Sequence, residues 1–370
     1  MTGWPDPRYR VDGLEEIDSP AVLVFPDLIE RNIERALALT ATDGGHCLQP
    51  HIKTVKSPEA ARLALERGIT RFKCSTVSEG ELLGGVGAAE VLLSYQLSAP
   101  KAARWRALRR KFPDTTFASL VDNAGSARLA AEVFADDPLP VYVDVNPGMD
   151  RTGVKPADVP ALLEVLETLP GLYLRGFHVY DGHIRGGVEE RGREAADLLD
   201  VANTLRSAAE ERFGRPLELV MAGSPNFPHY VGGRDVWVSP GTFFLWDAGY
   251  GDAFAEWEFA PAALVLTRVL SVIDGQTVCF DLGSKAVSPD KPQPRAVFPG
   301  LEDYTVVGQW EEHLVLRVPD TSGMRVGDAH FAVPSHVCTT VNLYEELLPV
   351  RDGRVGTPWR VTARDRRITI

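Results

Sequence analysis

Eight short apolar runs rich in β-branched residues recur between residue 46 and about residue 240, and stretches rich in Ala, Leu, Glu and Arg lie between them. The runs are typical of buried parallel strands, and apolar spacings of three and four in the stretches indicate helices packed on a sheet. Eight strand–helix units predict a TIM-type (β/α)8 barrel. The runs are His46–His51, Arg71–Ser75, Val91–Ser94, Thr116–Val121, Val141–Asn146, Leu172–Tyr180, Leu217–Gly223 and Val236–Pro240.

A doubly wound α/β sheet is the alternative to the barrel. That fold would carry a glycine-rich phosphate turn after its first strand, whereas this chain reads Pro-His-Ile-Lys at residues 50–53. The barrel is therefore the favoured fold.

The pattern of apolar residues in the sequence changes after about residue 248. Helical stretches give way to alternating β-branched segments separated by Gly, Pro and Asp turns, which predicts an all-β C-terminal domain. We expect a barrel over residues 20–247 and a β-rich domain built from residues 1–19 and 248–370. The run Ala21–Phe25 is a ninth strand, one too many for the barrel, and we expect it at the junction with the β domain.

The composition of the chain disfavours several classes of function. The 370 residues include 51 acidic and 39 basic side chains, and a formal charge of −12 disfavours a nucleic-acid or anionic-membrane surface. Residues 1–18 are polar where a signal peptide needs an apolar core, and no run reaches the roughly 18 apolar residues of a membrane span. The four cysteines are too scattered for a disulfide framework. We therefore expect a cytoplasmic protein.

Two cations follow predicted strands, and the carboxyl ends of strands are where TIM barrels keep their reactive groups. Lys53 follows the first run, where a partly desolvated amine is free to form an imine; a solvated lysine is the alternative interpretation. Arg151 lies in the loop Gly148–Gly153, where a guanidinium can orient an anionic cofactor or substrate through paired hydrogen bonds. A structural Asp–Arg pair is the alternative there.

The sixth run ends in a group of aromatic and ionisable side chains. Tyr180 offers a flat face to a cofactor, and His183 offers an imidazole that can move protons near neutral pH, although strand-end histidines are often structural. The last two runs end in short turns whose backbone N–H groups and hydroxyls are typical of a phosphate site, or of ordinary turns. The candidate phosphate residues are Gly223, Ser224, Gly241 and Thr242.

In the β domain, His336 and Cys338 stand two residues apart, which places both on one face if the segment is extended. Imidazole and thiolate ligands favour Zn²⁺, and a site with few protein ligands leaves positions open for water or substrate. A buried cysteine beside a hydrogen-bonded histidine is the alternative interpretation.

Taken in order, six motifs resemble those of fold-type III pyridoxal-phosphate (PLP) enzymes, the alanine racemase-like class, and within it the D-threonine aldolase and D-serine dehydratase branch. The resemblance covers nearly the whole chain, and its last two motifs are the most specific to the branch. The motifs are PHIKT, DVNPGMDRTG, AGS, SPGT, DLGSKAVSPD and PSHVCTTVNLYEEL.

The resemblance implies roles for the candidate residues. Lys53 would be the Schiff-base lysine, Arg151 would contact the phenolic oxygen of the cofactor, and Tyr180 would pack against its pyridine ring. The two turns would hold its phosphate, and His336 and Cys338 would bind a divalent metal such as Mn²⁺, Mg²⁺ or Zn²⁺. The resemblance also implies a homodimer in which the β domain of one subunit covers the barrel mouth of the other.

Departures from the racemases favour chemistry with a single base. Ser239 stands where racemases have an arginine on the pyridine nitrogen, and residues 281–285 replace the stretch that should hold their second-face tyrosine. We expect retro-aldol cleavage of D-threonine-type substrates, in which His183 or a metal-bound water takes the hydroxyl proton. The alternative is dehydration of D-serine or 3-hydroxy-D-aspartate, in which Lys53 takes the Cα proton and Cys338 fits the usual metal pair.

Two other classes of function stay open from the sequence. One is a non-catalytic PLP carrier, which would need neither the β domain nor a metal pair. The other is a sugar-binding or structural barrel without a cofactor. The β domain with its candidate metal pair argues against the carrier, and the small-molecule lyase is favoured.

Overall fold

The computed structural model describes residues 6–370, which divide into two compact units. The barrel unit contains residues 36–53, 61–241 and 365–370, and the β unit contains residues 6–35, 54–60 and 242–364. No helix within residues 6–370 is long and apolar enough to cross a lipid bilayer.

Five α-helices coincide with predicted helical stretches, whereas the four at residues 26–39, 99–111, 248–253 and 337–341 are additions. The α-helices are α1 (Pro26–Leu39), α2 (Pro58–Leu65), α3 (Val77–Gly85), α4 (Ala99–Lys111), α5 (Ala124–Val133), α6 (Val159–Glu167), α7 (Val188–Phe213), α8 (Ala248–Ala253) and α9 (Val337–Val341). The strands up to residue 238 are β1 (Ala21–Val24), β2 (Ala41–Thr42), β3 (Gly45–His46), β4 (Arg71–Cys74), β5 (Glu90–Gln96), β6 (Thr116–Val121), β7 (Leu139–Val145), β8 (Leu172–Val179), β9 (Glu218–Met221) and β10 (Val236–Val238). The remaining strands are β11 (Ala263–Asp274), β12 (Thr277–Phe280), β13 (Ala296–Val297), β14 (Thr305–Gln309), β15 (Leu314–Arg317), β16 (Ala329–Pro334), β17 (Glu346–Arg351), β18 (Arg354–Val355) and β19 (Trp359–Arg360).

In the barrel unit, β4 to β10 form a parallel sheet in sequence order. The extended segment 47–51 lies between its two edges, because Leu48 pairs with Val238 of β10 and His51 pairs with Lys73 of β4. Pro50 has no backbone N–H to donate, which limits regular ladder bonding along this segment. Its carbonyl nevertheless accepts from Lys73 N at 2.9 Å. The predicted first strand therefore closes the barrel as paired but irregular backbone.

Parallel strands surrounded by helices confirm the predicted barrel class. The barrel interior holds apolar side chains, among them Leu92, Leu120 and Val220. Ion pairs lie nearer the amino ends of the strands, where the Arg71 guanidinium lies 2.7 Å from both Glu90 and Glu218. This polar layer is at the end of the barrel away from the strand ends that TIM barrels use for chemistry.

The β unit is built on a sheet in the order β14-β15-β12-β11-β1-β17-β18, with β16 also paired to β11. Its strand β1 is antiparallel to β11 and parallel to β17, so the expected ninth strand belongs to this sheet. The second domain is β-rich, as the alternating segments predict. The domain limits at residues 20 and 247 stay a prediction.

Candidate active site

Lys53 lies in the short 3-10 turn Ile52–Thr54 directly after the closing segment of the barrel. Its backbone N–H donates to His51 Nδ1 at 3.3 Å, and His51 N donates to the carbonyl of Pro240 at 2.9 Å. Ile52 is buried, whereas Lys53 is exposed. The structure therefore gives this lysine an accessible amine at a barrel strand end, where the sequence predicts it.

A buried polar cluster crosses the barrel interior between β4, β7 and β8. We call it the Lys73 cluster; its members, Lys73, His178 and Asp144, are each 3% exposed. Lys73 Nζ lies 3.3 Å from His178 Nε2, and His178 Nδ1 donates to Asp144 Oδ1 at 2.7 Å. Sequence reasoning missed Lys73. The available signal was a lysine inside a short strand, two residues after Arg71 and hence on the same face of the strand.

Burial controls the ionisation of the Lys73 cluster. It lowers the pKa of Lys73 to about 7, and the nearby charges of Lys53 and Arg151 act in the same direction. Burial also lowers the pKa of His178, followed by the charge of Lys73. Burial alone would raise the pKa of Asp144, but hydrogen bonds from its neighbours, above all His178, lower it. The backbone of Lys73 pairs with His51 of the closing segment, two residues before Lys53.

Arg151 and Tyr180 are in direct contact. The Arg151 guanidinium carbon lies 4.5 Å from the centre of the Tyr180 ring, within cation–π distance. The ring also packs so closely on Gly223 that an added Cβ there would lie 2.9 Å from Tyr180 Cε2. Arg151 is exposed and Tyr180 half-buried, so both are accessible. The structure thus brings together two of the predicted cofactor residues and one of the predicted phosphate turns.

The two predicted phosphate turns of the barrel unit are joined by a hydrogen bond. Gly241 N donates to Ser224 Oγ at 3.0 Å, and Gly223 N donates to the buried Asp181 carboxylate at 3.0 Å. Tyr230 donates its hydroxyl hydrogen to the other Asp181 oxygen at 3.0 Å. Asp181 is therefore a structural anchor of the first turn, a role that sequence reasoning did not assign.

His183 lies between the Arg151 loop and helix α7. It lines a cleft of about 320 Å³ together with Pro147, Ile184 and side chains of α7, among them Glu194 and Leu198. Its Nε2 atom lies 3.5 Å from the position that a Cβ on Gly148 would take. The imidazole is exposed between the Arg151 loop and α7, and its catalytic role stays a prediction.

The segment around the predicted metal pair is helical, so the condition under which both side chains would share one face of an extended segment is not met. His336 is the N-cap of α9, and Cys338 lies in the first turn of this helix. The pair still interacts, since the hydrogen bond and charge of His336 outweigh burial and lower the pKa of Cys338. Cys338 Sγ also lies 3.2 Å from Thr54 Oγ1 and 3.7 Å from Thr242 Oγ1.

The surroundings of His336 suit a metal ligand. Its Nδ1 bonds the carboxylate of Asp290, an arrangement that commonly fixes the ring of a ligating histidine. Burial lowers the pKa of His336, but its interactions with Cys338 and Asp290 outweigh burial and raise it to about 9. Within residues 6–370 no three His, Cys, Asp or Glu side chains are grouped to hold a metal, so the pair would supply two ligands.

Two protein-family models match this chain. Residues 26–247, more than half of the chain, match the model of the alanine racemase N-terminal domain. The chain belongs to the alanine racemase N-terminal domain family. Residues 262–350 match a second model, "Putative serine dehydratase domain".

Three known proteins are similar to this member of the alanine racemase N-terminal domain family. It is 29% identical to a D-threonine aldolase of Arthrobacter sp., over 97% of this chain and 96% of the relative. It is 28% identical to a D-threo-3-hydroxyaspartate dehydratase of Delftia sp., over 55% of this chain and 51% of the relative. The crystal structure of a D-threonine aldolase from Filomicrobium marinum superposes with a TM-score of 0.84 at 27% identity, covering 95% and 96% of the two chains.

Membership of the alanine racemase family confirms the resemblance to fold-type III enzymes, whose cofactor is PLP. One buried atom of the barrel unit fits that cofactor independently. Ser239 Oγ has no hydrogen-bond partner among the described residues, although Ser239 is only 3% exposed. A buried hydroxyl without a partner is costly, and a ring nitrogen of a bound ligand would satisfy it. The sequence resemblance predicts that Ser239 stands where racemases have their pyridine-contacting arginine.

Proposed function

We propose that the protein is a PLP- and metal-dependent lyase that cleaves β-hydroxy-D-amino acids of the D-threonine type to glycine and an aldehyde. The observation that carries the proposal is the contact of the Arg151 guanidinium with the Tyr180 ring, which packs on the Gly223 turn of the barrel that also exposes Lys53. The full-length likeness to a D-threonine aldolase supports the reaction type.

Six barrel residues and Thr242 would hold the cofactor. Lys53 would bind it through the amine, Arg151 would face its anionic oxygen, and the Tyr180 ring would pack against it. Gly223, Ser224 and Gly241 would hold its phosphate together with Thr242, which follows Gly241 in the chain. When bound, PLP supplies an electron-accepting ring for the bond that breaks at the substrate Cα.

His336, Cys338 and His183 would act on the substrate hydroxyl. His336 and Cys338 would hold a divalent cation, which would supply a Lewis acid for the substrate β-hydroxyl. His183 is the candidate acceptor of the hydroxyl proton on an imidazole nitrogen. Removal of the proton leaves the oxygen electron pair free to form the aldehyde carbonyl as Cα and Cβ separate.

Dehydration is the second candidate function, and one feature favours it. Cys338 provides sulfur in the metal pair, which resembles the His-x-Cys pair usual among the dehydratases of this branch, and the Delftia relative is a dehydratase. In that reaction Lys53 would take the Cα proton and the cation would assist departure of the hydroxide. We also expect a homodimer, and cytoplasmic location stays a prediction from the sequence.

A product assay separates the two reactions. Purified protein with PLP is incubated with D-threonine and D-serine, with added Mn²⁺, with added Zn²⁺, or with chelator. Glycine and acetaldehyde support the proposal, whereas a 2-oxo acid and ammonia support the dehydratase. Loss of turnover in chelator, restored by one of the metals, supports the metal dependence.

A Lys53→Ala variant tests the cofactor linkage in the same preparation. Borohydride reduction should attach the cofactor to a peptide containing residue 53 of the native protein and leave the variant unlabelled. A labelled protein without turnover on any hydroxy-D-amino acid would instead indicate a cofactor carrier. A native protein that stays unlabelled would contradict the PLP assignment.

A further inference from the structure

Lys73 is a buried amine that the proposed reaction does not use. The charged and titratable groups that act on it are the cations Lys53 and Arg151, the acids Asp144 and Asp181, and His178. Its Nζ contacts the imidazole of His178 rather than a carboxylate. Within the described part of the chain, Lys73 forms no ion pair, so it lacks a direct counter-ion.

Both nearby acids already have other partners. Asp144 accepts hydrogen bonds from His178, from Thr152 at 2.8 Å and from Gln96 at 3.1 Å. Asp181 is held by the first phosphate turn and by a tyrosine hydroxyl. The two acids therefore stabilise a charge on Lys73 only at a distance, against two nearby cations and the cost of burial.

The geometry allows Lys73 to carry or to lack its extra proton without rearrangement. With His178 Nδ1 donating to Asp144, His178 Nε2 presents a lone pair toward Lys73. Either the amine or the ammonium form of Lys73 can donate to that lone pair. Because its pKa is about 7, both forms are populated near neutral pH in the free protein.

We propose that Lys73 takes up one proton from solvent when an anionic ligand binds beside Lys53 and Arg151, and so acts as the internal counter-ion of this pocket. The proposal rests on the proposed cofactor site, since the phosphate and phenolic oxygen of PLP make it an anion. A negative charge near Lys53 and Arg151 offsets their repulsion of a proton on Lys73. The step adds a proton to the Nζ lone pair, and no other bond forms or breaks. Lys73 is thus a positioning residue that acts through charge.

The number of protons taken up on ligand binding follows from the ionisation of Lys73 in the free protein. With a pKa of about 7, Lys73 carries about 0.1 of a proton at pH 8, so ligand binding can add up to about 0.9. By linkage, ligand affinity should fall as the pH rises above 7, by up to about tenfold per pH unit until the pKa of the bound form is reached.

Calorimetry with a cofactor analogue measures this uptake directly. We would titrate cofactor-free full-length protein with 4-deoxypyridoxine 5′-phosphate at pH 8, in buffers of low and high ionisation enthalpy. The analogue lacks the aldehyde, so it forms no imine with Lys53. The slope of binding enthalpy against buffer enthalpy gives the number of protons taken up.

Two variants isolate Lys73 in the same experiment. Lys73→Arg keeps a permanent charge, and Lys73→Gln keeps a hydrogen-bond donor without a charge, so neither titrates at pH 8. Both should take up at least about half a proton less than the native protein. A Lys101→Gln variant on α4 is the matched control, and it should match the native protein.

The outcomes are distinct. Equal proton uptake by the native protein and both Lys73 variants would overturn the inference while leaving the cofactor site intact. Absence of analogue binding to the native protein would instead overturn the proposed function. If either variant does not fold, ¹⁵Nζ NMR of the native protein at pH 8 decides: a buried lysine must change from amine to ammonium on saturation, and no such change refutes the inference.

Discussion

The Tyr180 ring lies against Gly223 with no room for a side chain between them, because a Cβ on Gly223 would come within 2.9 Å of Cε2. Gly182 meets the same ring from another position, where a Cβ would lie 2.4 Å from Cε1. Two glycines therefore fix the place of the ring that contacts Arg151. The absence of side chains at these positions is a requirement of the pocket.

Replacement of Gly223 by alanine should displace the Tyr180 ring and weaken PLP binding by about tenfold, since overpacking a fixed ring costs about 1–3 kcal/mol. Gly187→Ala is the matched control, because nothing lies within 4 Å of its added methyl group. The measurement is the dissociation constant of PLP for each variant. Equal affinity of the Gly223→Ala variant and the control would contradict this account of the pocket.

Removal of the Ser239 hydroxyl should affect the cofactor more than the fold. Because Ser239 Oγ lacks a partner among the described residues, Ser239→Ala should leave the free energy of unfolding of the cofactor-free protein unchanged or slightly higher. It should also weaken PLP binding several-fold. Ser119→Ala is the contrasting control: its hydroxyl donates to the carbonyl of Tyr95 at 2.9 Å, so it should lose about 1 kcal/mol of stability with unchanged affinity. Reversed effects would exclude the assignment of Ser239 to the ring.

The barrel strands could be predicted because their apolar runs are short, β-branched and bounded by turn residues. Helix α4 could not, since six of its 13 residues are basic and its buried face is only Ala102, Trp105 and Leu108. This narrow stripe gives a weak helical pattern. Tertiary packing, rather than the local pattern, is what identifies the helix.

The candidate active site also contains residues that the sequence predicts and one that it does not. Lys53, Arg151 and Tyr180 follow strands, so topology alone predicts that they share one end of the barrel. Lys73 contacts His178 across the barrel interior, a distance relationship that no spacing in the sequence encodes. The spacing of His336 and Cys338 does not reveal whether their segment is extended or helical, and the structure shows that His336 caps a short helix there.

The Cys338 thiol should be the most reactive of the four cysteines in metal-free protein. Its interaction with His336 lowers its pKa and it is half-buried, whereas burial raises the pKa of Cys47 and Cys74. Iodoacetamide at pH 7.5 should therefore alkylate residue 338 first, as measured by peptide mass spectrometry. His336→Ala should slow the reaction several-fold, and Zn²⁺ should protect the native thiol. Equal labelling of all four cysteines would contradict the pairing.

The ion-pair layer inside the barrel should make stability depend on acid pH. Burial raises the pKa of Glu218, but its bonds to Arg71 and Tyr142 outweigh burial and lower it to about 2. A lowered carboxyl pKa stabilises the fold above the unfolded value of about 4.5, and this contribution is lost as the pH falls toward 2. Glu218→Gln should therefore cost about 1–3 kcal/mol at pH 7 and less than half of that at pH 3, as measured by urea unfolding. Glu302→Gln, at an exposed position, is the control and should change little at either pH. An equal cost of Glu218→Gln at both pH values would show that packing, rather than charge, holds this layer together.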